Sequence, residues 1–167
     1  MRIIGIDPGY GRTGFGVIDV IGNRMKPVEY GCIETKPRTP MPDRLLEIYS
    51  AVTELIVRHQ PEAMAVEELF FAKNVTTGLD VAQARGIVLL AGREANLTIS
   101  EYKPMQVKQS VAGYGKADKK QMQEMVRMLL GLTQIPKPDD AADALAVAIT
   151  HAHTAPFLNR VERKLTR

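Results

Sequence analysis

The stretch Arg2-Ile3-Ile4-Gly5-Ile6-Asp7-Pro8-Gly9 constrains this chain most, because a short β-branched run that meets Pro-Gly reads as a buried strand ending in a turn. Asp7 therefore sits at the strand tip. A carboxylate there either bonds back to its own turn or serves as one ligand of a site assembled from later segments. Taken alone, the segment favours the turn. Three later acidic positions change the weighting.

Downstream, Phe15 to Val20 and Lys26 to Thr35 are strand-like and separated by Gly-containing turns, which predicts an antiparallel three-stranded meander. Gly9-Tyr10-Gly11-Arg12-Thr13-Gly14 matches the dinucleotide fingerprint GxGxxG. The residues after Gly14 are β-rich, so the helix N-terminus that would hold a pyrophosphate is missing, and no nucleotide cofactor is expected. After a Pro-rich connection, Leu45, Ile48, Val52, Leu55 and Ile56 recur at helical spacing up to Gln60-Pro61. Ala63 to Val66 has no polar face and reads as a central strand buried on both sides, with Glu67 at its exit. A long helix is predicted from Asn74 to Asn96, apolar over so wide an arc that it needs a second cover, either more core or another subunit. Thr98 to Tyr102 is a further strand, Pro104 opens a short helix, Lys119 to Leu130 is helical, and the last helix opens at Asp139-Asp140. The predicted organisation is one domain over residues 1–158 with a basic tail at 159–167.

At 167 residues and 45% hydrophobic, the chain is long enough for one core without staples. Cys32 is the only cysteine, which rules out an internal disulfide or a multi-thiolate metal site. No leader is apparent and the longest apolar run, Ile87 to Ala91, is too short for a bilayer, so a cytoplasmic protein is expected.

Acids in a first helical turn are expected on dipole grounds, and Asp139 and Asp140 need no function to explain them. Asp143 is harder to dismiss. It shares a face with Asp140 and precedes the apolar run Ala144 to Ile149, and an ionised side chain aimed at a core is costly unless paired or metal-bound. Asp7 and Glu67 end strands that, if parallel, open on one shared edge. Four carboxylates meeting there would repel, and a divalent cation removes the conflict. All-oxygen ligation selects Mg²⁺ or Mn²⁺. His59, His151 and His153 are read as surface or helix-end residues. Two ions about 3.5 to 4 Å apart would activate water and stabilise a leaving oxygen, which is phosphodiester chemistry. Removing four carboxylates from a chain of net charge +3 leaves +7 on the remaining surface, a basic frame suited to a polyanion.

The set Gly5-Ile6-Asp7-Pro8-Gly9, Val66-Glu67-Glu68-Leu69-Phe70, Ala72-Lys73-Asn74, Gln83-Ala84-Arg85-Gly86, Gln106-Val107-Lys108-Gln109 and Asp140-Ala141-Ala142-Asp143-Ala144-Leu145 resembles the bacterial RuvC family of Holliday junction resolvases over nearly the whole chain. The resemblance implies an α/β, ribonuclease H-like fold: a mixed five-stranded sheet flanked by α-helices. By motif position, Asp7, Glu67, Asp140 and Asp143 match the family's metal-binding catalytic acids, Phe70 the aromatic that stacks on bases near the crossover, and Lys108 and Lys119 basic residues that contact DNA. Lys73 and Lys116 are further DNA-contact candidates, Phe71 is expected to pack inward, and Asp139 is left outside the site. The resemblance further implies a homodimer, four-way junction DNA as substrate, paired nicks leaving 5′-phosphate and 3′-hydroxyl ends, and the RuvA-RuvB branch-migration complex as partner. Two alternatives stay open. An actin-like ATPase would need two related subdomains, for which the chain is too short, and a non-catalytic junction-binding module would leave the acids solvated.

Overall fold

The computed structural model of the protein describes the backbone of residues 1–69 and 75–165 and the side chains of residues 1–69 and 77–155. The meander forms as its turns predict: β1 (Arg2–Asp7), β2 (Arg12–Ile21) and β3 (Arg24–Glu34) pair antiparallel. Gly9 to Gly14 lies in the β1–β2 turn and the opening of β2, so no helix begins there. α1 (Met41–His59) then crosses to β4 (Ala63–Glu67), which lies parallel to β1, and α2 (Val75–Glu94) crosses to β5 (Thr98–Tyr102), parallel to β4. α3 (Pro104–Ala112), α4 (Lys119–Leu129) and α5 (Asp139–Leu165) complete the chain. The sheet order is β3-β2-β1-β4-β5, a mixed five-stranded sheet. α5 carries the backbone through most of the segment read as a basic tail.

Strand alternation divides the core in two. Ile4, Ile6, Phe15, Val17, Met64 and Val66 face α1 and α2, whose Ile48, Val52, Ala84 and Val88 cover them. Ile3, Ile18, Ala65 and Tyr102 face the other way, against Val107, Val126, Leu145 and Ile149 of α3, α4 and α5. The same alternation decides where the acids go. Asp7 follows Ile3 and Gly5 on the α5 side, and Glu67 follows Ala65 on that side too.

α5 lies unusually close to the strands it covers. Gly5 and Gly16 are register partners. A Cβ on Gly5 would stand 2.8 Å from the Ala148 Cβ, and one on Gly16 would stand 2.7 Å from Leu145 Cδ2. At Gly14, the register partner of Asp7, a Cβ would run into the carbonyl oxygen of Asp140. Glycines on the strands and Ala141, Ala144 and Ala148 on the helix, all fully buried, thus let the first turn of α5 rest on the tips of β1 and β2.

α2 buries a single stripe, Ala84, Val88 and Ala91. Leu79 and Leu90 remain 57% and 49% exposed. With the exposed Gln83 and Gly86 they form a second line at helical spacing, and nothing lies within 4 Å of a Cβ built on Gly86. The wide apolar arc noticed in the sequence therefore has only one of its two covers inside the protomer.

Candidate active site

Three elements that are distant in sequence deliver four carboxylates to one end of the sheet. Ile6 pairs with Val66 in the parallel register, so the next residues, Asp7 and Glu67, leave adjacent strand tips side by side on the α5 face. Asp140 comes from the first turn of α5, which the Gly14 contact seats above β1, and Asp143 follows one turn on. Lys108 projects from α3 and Lys119 from the start of α4. There Asp118 caps the helix: its carboxylate accepts from the Gln121 backbone N–H at 2.8 Å, and the Gln121 side chain accepts from the Asp118 N–H at 2.9 Å. Glu67, Lys108, Lys119 and Asp143 line one cleft of about 230 Å³ with Pro104, Val107, Met122 and Ala146. Asp7 and Glu67 share a second of about 210 Å³ with Pro8, Glu68, Leu69, Val81 and Pro104.

The electrostatics are those of crowded acids. Burial, then the charges of Glu67 and Asp143, a hydrogen bond with Glu67, and the charge of Asp140 together push the Asp7 carboxyl up to about 8. Burial also raises Glu67, against the lowering effect of its bond to Asp7, with Asp143 adding to the rise and Lys108 opposing it. Asp143 is raised by burial as well, with Lys119 opposing and Asp140 and Asp139 adding to the rise. The α5 acids have basic neighbours on their outer sides. Lys119 Nζ stands 3.8 Å from Asp143 and 3.2 Å from Asp139. Arg12 stands 3.8 Å from Asp140. Among the described residues, no three acidic, histidine or cysteine side chains are gathered tightly enough to hold an ion as they stand. The donor chemistry nevertheless fits a hard divalent cation: four carboxylates and no nitrogen or sulfur, crowded closely enough that burial and mutual repulsion raise Asp7 well above its ordinary range.

Asp7, Glu67, Asp140, Asp143, Lys108 and Lys119 are thus brought together. Asp139 is held away by Lys137 at 3.0 Å and by Lys119, and its carboxyl falls to about 2 through those bonds and one to Gln123. Lys116 is exposed in the α3–α4 loop and does not line either cleft. Phe70, Phe71 and Lys73 lie outside the described residues.

Of the histidines read as surface or helix-end residues, His153 is exposed and His59 ends α1, whereas His151 lies buried within α5. His151 is 4% exposed, and its Nδ1 bonds the Tyr102 hydroxyl at 2.8 Å. His59 is buried with Nε2 2.7 Å from Glu29. Arg12 and Gly14 carried no sequence expectation as site residues. Only the alternation of Gly14 and Gly16 in a strand, opposite an alanine-rich helix, could have signalled the close approach.

The family profile described as crossover junction endodeoxyribonuclease RuvC matches residues 3–151. The chain belongs to the RuvC family. Curated RuvC relatives include the protein of Desulfitobacterium hafniense, 57% identical over 161 residues that make up 96% of this chain and 98% of that one. That of Desulforamulus reducens is 58% identical over 152 residues, 91% of this chain and 93% of its own. Among solved structures, Thermus thermophilus RuvC in complex with Holliday junction substrate superposes with a TM-score of 0.88 at 42% identity, covering 93% of this chain and 94% of that one. The yeast mitochondrial Holliday junction resolvase Ydc2, at 13% identity, shares the fold with a TM-score of 0.69 over 95% of this chain and 80% of its own. The ribonuclease H-like architecture expected from the RuvC resemblance is the one observed.

Proposed function

We propose that the protein resolves Holliday junctions by divalent-metal-dependent hydrolysis of two symmetrically placed phosphodiester bonds. The observation that carries this is the meeting of Asp7, Glu67, Asp140 and Asp143 at one sheet end, where burial and the neighbouring acids raise Asp7, with Lys108 and Lys119 at the rim. The Thermus thermophilus relative bound to a Holliday junction supports the choice of substrate.

The four carboxylates would hold Mg²⁺, or Mn²⁺ in its place, as two ions. Such ions, when bound, supply an activated water and neutralise the leaving oxygen. The rest of the work falls to the chain. Glu67 and Asp7 orient the ligand oxygens from rigid strand tips, Asp143 and Asp140 close the site from a helix end, and Lys108 and Lys119 hold backbone phosphates against the repulsion of the acids. In this reading Phe70 stacks on an opened base, and Lys73 and Lys116 extend the DNA contact. The line Leu79, Gln83, Gly86, Leu90 on α2 supports a homodimer, whose two-fold axis would set two such sites on strands of like polarity. Coupling to a RuvA-RuvB branch-migration complex, a cytoplasmic location, and a nuclease unit over residues 1–158 followed by a basic tail rest on the family resemblance and the sequence. No described helix is long and apolar enough to cross a membrane.

The test is cleavage of a mobile four-way junction against a linear duplex of the same sequence, with Mg²⁺, with EDTA, and with Asp7→Asn. Paired symmetric nicks in the junction alone, lost in both controls, are expected. Junction binding without cutting would leave only a binding module, and equal cutting of the duplex would reject the substrate.

A further inference from the structure

Two cations flank the carboxylates, on opposite sides. On the α4 side Lys119 reaches Asp143 at 3.8 Å and is tethered outside the cluster by Asp139 at 3.2 Å. On the β2 side Arg12 repeats the arrangement: one guanidinium nitrogen is 3.8 Å from Asp140, and another is 2.9 Å from Glu34, its register partner on β3. Each cation touches its cluster acid only beyond hydrogen-bond distance, and each is more than half exposed, at 57% for Arg12 and 58% for Lys119. Exposed pairs of this kind are weak, so either cation can leave its acid at little cost.

The surroundings of Arg12 form an open groove of about 590 Å³, lined by Gly9, Tyr10, Gly11, Thr35 and Arg44 among others. Its wall is firmly tied. The nearly buried Arg44 donates to the Lys36 carbonyl at 2.7 Å and the Thr39 carbonyl at 3.2 Å, and its guanidinium carbon stands 5.4 Å from the Tyr10 ring centroid. Thr35 donates its hydroxyl to the Tyr10 carbonyl at 2.6 Å. Nothing lies within 4 Å of a Cβ built on Gly11, so the space next to Arg12 is open.

We propose that Arg12 is a further phosphate-binding cation of this site, on the side opposite the lysines: when a DNA strand lies across the acids, its guanidinium leaves Asp140 and takes a backbone phosphate at the mouth of the groove. Lys119 does the same on the α4 side. A strand crossing four carboxylates needs positive charge on both flanks, and the guanidinium fork fits two phosphate oxygens at once. Its departure also frees Asp140. This inference rests on the junction-nuclease reading.

The test measures affinity for a four-way junction as a function of salt, in an Asp7→Asn background with Mg²⁺. Arg12→Gln should weaken binding and lower the salt slope, log K against log [salt], by about 0.9, the share of one phosphate contact. Arg12→Lys should restore the slope. Arg24→Ala, an exposed arginine at the opposite end of the sheet, should leave it unaltered. Glu34→Gln, which unties the guanidinium, should tighten binding about two- to fivefold, a gain that Arg12→Gln abolishes. An unchanged slope in Arg12→Gln, or an equal fall in Arg24→Ala, overturns the proposal. If Arg12→Gln does not melt cooperatively, Glu34→Gln decides alone, and no gain overturns it. A background protein that binds the junction no better than a linear duplex would instead count against the proposed function.

Discussion

The seam between α5 and the sheet holds buried polar groups at two places, and the two are satisfied in opposite ways. Midway along α5 the Tyr102 hydroxyl lies 2.8 Å from His151 Nδ1 and 2.7 Å from Thr154 Oγ1, and Thr154 donates to the Thr150 carbonyl at 2.9 Å. Every group there is neutral and has a partner from the protein. At the start of α5, Asp7, Glu67, Asp140 and Asp143 face one another, and two loosely held cations relieve the repulsion only in part. A seam that can close its hydrogen bonds at one end and leaves like charges together at the other has kept the second end for something brought from outside.

The largest expected effect breaks the functional end alone. Asp7→Asn keeps shape and removes ligand charge, so junction cleavage should fall by at least about 100-fold, more than outer-shell changes around a metal typically cost. Its melting temperature without metal at neutral pH should stay close to that of the parent, because Asn replaces a carboxyl that already favours its neutral form there. Calorimetry beside the cleavage assay checks both. Unaltered cleavage would remove Asp7 from the chemistry.

Gly14→Ala should damage both stability and cleavage. Its Cβ would meet the Asp140 carbonyl, which is backbone and yields only if α5 lifts. Overpacking of this kind costs about 1–3 kcal/mol, and the displaced first turn should also slow cleavage under saturating Mg²⁺. A variant as stable and as active as the parent would show that the seam has slack.

These two sites differ in how far they could be seen in the sequence. Asp7 and Glu67 were legible because each ends an apolar run, and period-two alternation with parallel pairing then fixes both their position and their side of the sheet. Asp143 was legible as a charge ahead of a buried helix. What alternation could not supply was depth: the approach of α5 depends on Gly5, Gly14 and Gly16 meeting alanines from a segment more than a hundred residues away. Arg12 escaped for a related reason, since a polar residue opening a strand after a glycine turn has no periodic signature, and its partner acids come from β3 and α5. His151 escaped because its place inside the seam is set by Tyr102, in another element.

Titration sharpens the contrast, because the two ends respond to pH with opposite sign. Asp7 is raised from its ordinary value of 3.8 to about 8, so the folded state binds the proton more tightly. Its contribution to stability is fully present below about pH 4 and is lost as the pH rises through about 8. In EDTA, chemical denaturation should therefore show stability falling across that window. Mg²⁺ should flatten the fall, since a cation takes over what the proton does. A slope unaffected by Mg²⁺ would mean that the acids do not share an ion.

His151 supplies the smaller and opposite effect. Burial lowers its pKa below the ordinary 6.5, so the unfolded chain takes up a proton that the folded protein resists. The stability it contributes is present above about pH 6.5 and is lost as the pH falls towards the folded value. Tyr102→Phe tests the partner that makes this neutral arrangement tolerable. Removing the hydroxyl deprives Nδ1 of its bond while Thr154 keeps its own to Thr150, so the cost should be about 1 kcal/mol at neutral pH. That loss should be the same with and without Mg²⁺, and cleavage per folded molecule should be unchanged, because this end of the seam is closed by the protein alone. A Tyr102→Phe protein whose stability deficit disappears on adding Mg²⁺ would mean that the two ends are coupled through α5, and that the helix transmits the state of the acids along its length.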